Sequence, residues 1–278
     1  MTTTTPALPS GRAIRLGAGR IVTEVRAYFR QGDSVFFTFL FPVVMLTIFA
    51  TAFSAQSFGT DAAGDDVSAA TYYLPGMLAA GLLLSGLQNL AVDIAMERGD
   101  GTLKRLAGTP LPVVSYFIGK IGQVLVTGAA QAALLLLVAG LVFGVALPDT
   151  AGQWATFAWV FLLGVTTSAV LGIALSRLPR SGKSATSVIL PITLVLQFIS
   201  GVYLPFSQLP TWLQDIANGF PLKWMAQGMR AVFLPDTFEQ VERDGLWNLE
   251  GVALATGAWL VVGLVVCRLT FRWIRKDS

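Results

Sequence analysis

Residues 35–53 read VFFTFLFPVVMLTIFATAF, a stretch with no charged side chain. A helix rises about 1.5 Å per residue, so about 20 apolar residues cross the roughly 30 Å of bilayer hydrocarbon. In lipid such a stretch must be helical, because its backbone N–H and C=O groups find no partners outside the segment. Five further segments share this character, at about 74–95, 113–143, 154–176, 184–204 and 252–269. The whole chain agrees. Of its 278 residues 54% are hydrophobic and 13% charged, against about 25% charged in an ordinary soluble domain. The sequence therefore predicts an all-α integral membrane protein. One six-span domain covers 34–278, after a disordered start over 1–11 and an amphipathic helix over 12–33.

The cations set the expected orientation. Arg12, Arg15, Arg20, Arg26 and Arg30 precede span one. Arg98, Lys104, Arg105 and Lys120 lie between spans two and three, and Arg177, Arg180 and Lys183 between spans four and five. Arg268, Arg272, Arg275 and Lys276 follow span six. The other side keeps only Lys223, Arg230 and Arg243, while the segments 54–72 and 144–153 carry the acids Asp61, Asp65, Asp66 and Asp149. By the positive-inside rule both termini are expected in the cytoplasm. The N-terminal stretch lacks the apolar core of a secretory signal.

Several chemistries are excluded. The chain has no histidine and a single cysteine, Cys267, so it holds no Ser-His-Asp triad, no His/Cys zinc site and no internal disulfide. Basic residues do not cluster with aromatics as in nucleic-acid-binding surfaces. Gly182-Lys183-Ser184 looks like the end of a phosphate-binding loop, but Arg177 stands where that loop needs its first glycine. It also lies between two spans, with no strand before it, and reads as a tight cytoplasmic turn. Catalytic residues, metal ligands and a bound cofactor are not expected in this chain.

Outside the spans, three segments look built. Ile21, Val22, Val25, Tyr28 and Phe29 recur at helical steps, as in a helix lying in the membrane interface. Residues 96–112, MERGDGTLKRLAGTPLP, concentrate charge in a charge-poor protein. There Gly99 and Gly101 break one helix, Thr102 is placed to cap a short new one, and Pro110 and Pro112 stop it. Such an element suits docking into a partner's groove. Residues 205–250 are punctuated by Pro205, Pro210, Pro221 and Pro235, with TWLQDIAN and PLKWMAQGMRAVFL as two short helices between them. These either lie on the outer surface as an aromatic anchor or dip back into the membrane as re-entrant helices.

The run MERGDGTLKRLAGTPLP resembles the coupling segment of type-2 permeases of ATP-binding cassette (ABC) exporters. SGVYLPFSQLPTWLQDIANGFPL (200–222) and PLKWMAQGMRAVF (221–233) resemble that family's pattern after span five. The likeness covers nearly the whole chain and leans towards the daunorubicin-resistance type. It implies a permease subunit of an ATP-driven exporter in the cytoplasmic membrane, paired with a second permease, usually its own copy. Two ATP-binding subunits would carry the ATP and Mg. Glu97, Arg98, Gly101, Thr102, Leu103, Lys104 and Arg105 would dock on them. Pro205, Trp212, Pro221 and Trp224 would help close the outer exit.

Polar side chains within spans carry a functional expectation because they are costly there. Gln88, Asn89, Asp93 and Gln197 are the candidates for a substrate pathway. The alternative is that the amides only bond between helices, with Asp93 paired to a cation such as Arg98. Gly81 with Ser85, and Gly140 with Gly144, are candidate close helix contacts. The sparse charge favours a hydrophobic or amphiphilic cargo. Competing functions are a gradient-driven transporter, a membrane-embedded enzyme and a non-transporting scaffold subunit. The first would want a mid-membrane charge relay or internal repeats, and the second catalytic groups; the sequence shows none of these.

Overall fold

The computed structural model describes residues 10–60, 64–243 and 245–270. Most of the expected N-terminal disorder, Asp61, Arg272, Arg275 and Lys276 lie outside them. Eleven α-helices follow in order: α1 (Ser10–Phe29), α2 (Gly32–Ala52), α3 (Ala69–Leu83), α4 (Leu90–Gly99), α5 (Thr102–Ala107), α6 (Val113–Phe143), α7 (Ala151–Leu175), α8 (Ala185–Ile199), α9 (Thr211–Asn218), α10 (Pro221–Phe233) and α11 (Leu249–Thr270). A single π-helical turn, Leu84–Asn89, joins α3 to α4 into one continuous rod. Among the described residues six helices are long and apolar enough to cross a membrane: Gly32–Ala52, Ala69–Gly99, Val113–Phe143, Ala151–Leu175, Gly182–Ile199 and Leu249–Leu269. The chain is an all-α, multi-pass membrane protein.

The second span is the axis of the bundle. Its most apolar stretch is 78% buried, against 22% for the first and last spans. It begins at Ala69, five residues before the hydropathy limit, where Ser68 caps the first turn by accepting a bond from the Thr71 N–H. The fifth span ends at Ile199 rather than 204. Residues 10 and 11, expected to be disordered, already belong to α1.

The π turn lies in close backbone contact with α7. The Gly172 position on α7 lies so close to the Gly86 carbonyl that an added Cβ would sit 2.3 Å from that oxygen. Only hydrogen side chains allow the two helices to touch there. Of the expected small-residue pairs, Gly81 and Ser85 do form a contact. They receive Gln131 of α6, whose Oε1 accepts a bond from Ser85 Oγ at 3.0 Å. Gly140 and Gly144 do not. Gly144 adopts φ +65° and terminates α6 in a left-handed cap.

The segment after span five bears on one open choice, for α10. Eleven of the thirteen residues of α10 are buried, packed among α3, α7 and α11. It is an internal helix and not a surface-lying anchor. A buried Arg230–Glu242 ion pair fastens the chain that follows it. The Gly182–Ser184 tripeptide forms a single 3-10 turn capped by Ser181, as a turn reading requires.

Candidate functional site

One end of the bundle carries a buried charge cluster. α1 packs along the first half of α6, and its stripe of Gly17, Glu24 and Tyr28 faces inward while Ile14, Val22 and Phe29 stay exposed. Glu24 thereby meets Lys120 of α6. Sequence reading placed Lys120 among the loop cations, yet it sits inside α6 and is only 1% exposed. Its Nζ lies 2.5 Å from Asp93 Oδ2, 2.7 Å from Glu97 Oε1 and 2.9 Å from Glu24 Oε2. Arg20 pairs with Glu24 at 2.6 Å, and the Tyr116 hydroxyl donates to Glu97 Oε2 at 2.6 Å. The three carboxylates would suit a cation, and the lysine ammonium already fills that place. Burying an ammonium costs several kcal/mol, which only such close pairing offsets. The cluster ties three elements together: α1, the end of span two and the start of span three.

This geometry corrects the expected partner of Asp93. Arg98 points the other way. It donates to the Ser176 and Pro179 carbonyls at 3.0 and 2.6 Å, just past the C-terminal end of α7, where a cation is favoured.

The predicted coupling helix exists as α5, with one change in its cap. Gly101 takes the cap position with φ +82°, and Asp100 rather than Thr102 satisfies the open end, accepting from the Thr102 N–H at 2.8 Å. These bonds hold the Asp100 carboxyl below the usual carboxylate range, so the cap persists as pH falls until that lowered value is passed. Thr102 instead accepts from Arg105 Nη2 at 2.9 Å. Of the seven candidate docking residues, Glu97, Arg98 and Leu103 are turned into the protein. Lys104 and Arg105 are exposed, and Gly101 and Thr102 half-buried. α5 is thus anchored by Leu103 beneath and by the Lys120 cluster and α7 on its approach, and presents two cations outward.

The four candidate pathway residues come together. Gln88, Asn89, Asp93 and Gln197 all line one cavity of about 630 Å³ between α1, α2, span two and α8. The amides also bond between elements, as the alternative reading expects. Thr193 Oγ1 of α8 donates to Gln88 at 2.6 Å, Asn89 donates to Thr38 of α2 at 2.7 Å, and the Tyr203 hydroxyl donates to Gln197. The π turn carries Gln88 and Asn89, and a π turn shifts the faces a helix presents. The Tyr28 hydroxyl reaches this wall beside Thr38 and Asn89 but lies in hydrogen-bonding geometry with neither. Nothing in the sequence marked Tyr28, Ser85 or Gln123 as wall residues.

The candidate exit residues lie apart from this cavity. Trp212 of α9 is 62% exposed. Trp224 is half-buried and donates to the Asn218 carbonyl at 2.8 Å, bracing α10 against α9. Pro221 is buried at the start of α10, and Pro205 precedes a 3-10 turn.

Residues 56–271 match the family described as ABC-2 family transporter protein. The chain belongs to this family. The ABC-2 family match covers span two, α5 and the α9–α10 segment together. Among individual relatives, 187 residues are 23% identical to the "Probable multidrug ABC transporter permease YbhR" of Escherichia coli (strain K12). That alignment takes in 67% of this chain and 50% of the relative. The "Putative transport permease ycf38" of Cyanophora paradoxa is 26% identical over 208 residues, 74% of this chain and 69% of the relative. The chain therefore spans about half the length of the first of these relatives.

Proposed function

We propose that this chain is the membrane-spanning permease subunit of an ATP-driven exporter for hydrophobic or amphiphilic cargo. It would sit in the cytoplasmic membrane with both termini inside. It would pair with a second permease, as a homodimer, and with two ATP-binding subunits that supply ATP and Mg. The observation that carries this reading is α5. It is a short helix with outward Lys104 and Arg105, fixed to the bundle by buried Leu103 and by the charges on either side of Glu97. A motion imposed on it would pass as a rigid-body displacement to span two, and so to the cavity wall. ATP hydrolysis belongs to the partners, and Gly182-Lys183-Ser184 is only a turn.

The cavity is the proposed cargo pocket, because its volume lies within the about 300–1,000 Å³ of small-molecule sites. A gradient-driven carrier would need ionisable groups spread along its path. Here the two acids of the wall, Asp33 and Asp93, sit at one end: the Asn89–Thr38 bond in antiparallel helices brings the start of α2 level with the end of α4. Filling the pocket tests this reading. Leu194→Trp, on the cavity wall, is expected to leave the complex with the ATP-binding subunit intact. It should lower ATP-dependent transport by about tenfold or more, read as substrate accumulation in inverted vesicles. Unchanged transport in the tryptophan variant would remove the cavity from the pathway.

A further inference from the structure

The walls of the cavity are unequal in charge. Asp33 and Asp93 both line it, and neither lysine nor arginine does among the described residues. Asp93 gives one oxygen to Lys120, yet its side chain remains 31% exposed. The cluster behind it sets three carboxylates, Glu24, Asp93 and Glu97, against two cations, Arg20 and Lys120. The lysine is sealed away at 1% exposure, so the face turned to the cavity is acidic. Away from this end, Phe37, Phe41, Leu190 and Leu194 supply an apolar body, with the Gln88 and Asn89 amides between.

We propose that the cavity takes a cationic amphiphile, with its positive group beside Asp93 and Asp33 and its apolar part against Phe37, Phe41, Leu190 and Leu194. This rests on the reading of the cavity as the cargo pocket. Asp33 and Asp93 then set the charge preference. A cation favours the ionised form of a nearby carboxylate, and an anion of equal shape meets repulsion in a site walled by hydrocarbon. Asp93 also shares Lys120 with Glu97, one turn further along α4. A cation drawn to Asp93 therefore competes with the bond that holds the approach to α5.

Tetraphenylphosphonium and tetraphenylborate, which differ in charge far more than in shape, make the test. Binding of each to the full chain in lipid nanodiscs is measured by equilibrium dialysis, with empty nanodiscs subtracted. The phosphonium is expected to bind with an affinity at least about tenfold above that of the borate, the ratio that about 1.4 kcal/mol sets. Asp93→Asn, which keeps a group able to accept from Lys120, and Asp33→Asn in the first turn of α2 should each weaken phosphonium binding severalfold. Leu194→Trp should abolish it. Equal affinity for the two probes, or unchanged phosphonium binding in both Asn variants while Leu194→Trp still blocks it, would overturn the charge preference and leave the pocket standing. Phosphonium binding untouched by Leu194→Trp would overturn the pocket as well. The comparison of the two probes on the unaltered chain needs no variant to fold.

Discussion

Lys120→Met is expected to destabilise the folded protein by about 3–5 kcal/mol, the cost of breaking a buried ion pair from one side. The lysine holds Glu24, Asp93 and Glu97 at 2.5–2.9 Å, and its removal takes a cation from all three, leaving Arg20 beside Glu24 and the Tyr116 hydroxyl on Glu97. α1 would lose its main polar hold on α6, and the end of span two its hold on span three. The yield of monodisperse protein in detergent and its midpoint of thermal unfolding should both fall sharply. Adding Glu97→Gln to Lys120→Met removes one of the stranded charges and should recover part of the loss, a coupling that a double-mutant cycle reads directly. A Lys120→Met protein as stable as the original would show that the cluster does not hold these helices together.

Reversing the two outward charges of α5 has the second large expected effect. Lys104→Glu with Arg105→Glu should reduce copurification of an ATP-binding subunit, and ATP-dependent transport, by at least about tenfold. Removing a docking charge and presenting the opposite one each cost energy at an interface, and like-charge juxtaposition there costs several kcal/mol. The fold should be spared, since both side chains are exposed and the anchor beneath them is Leu103. Unfolding in the absence of the partner is the control, and it should match the original. Full coupling in the reversed variant would place the docking surface elsewhere.

The two variants divide what the sequence showed from what it hid. The spans were legible because hydropathy is a local property and lipid allows only helices. α5 was legible for a similar reason: Gly101 and Pro112 mark its surroundings within a few residues. The cluster depends on neighbours far apart in the chain. Asp93 and Glu97 share a helix face at a four-residue step, a signal for a paired site, but nothing local says that their partner lies 27 and 23 residues away. Lys120, at the edge of an apolar run, was counted with the loop cations because hydropathy cannot separate a buried lysine from a solvated one near a span's end. The π turn was equally hidden, as was the approach of Gly86 to Gly172 across two helices. The candidate pathway residues were singled out by their polarity alone. Their convergence on one cavity became visible only once α2 and α8 were packed on span two.

The central claim is that α5 is the inner elbow by which a separate motor moves this chain. Cysteine cross-linking tests it most directly, in a Cys267→Ser background with a single cysteine introduced as Lys104→Cys. In the assembled complex that cysteine is predicted to cross-link to the ATP-binding subunit, and to be shielded in intact cells from a membrane-impermeant thiol reagent. Labelling of the same cysteine from outside intact cells, with no cross-link to the ATP-binding subunit, would contradict the account.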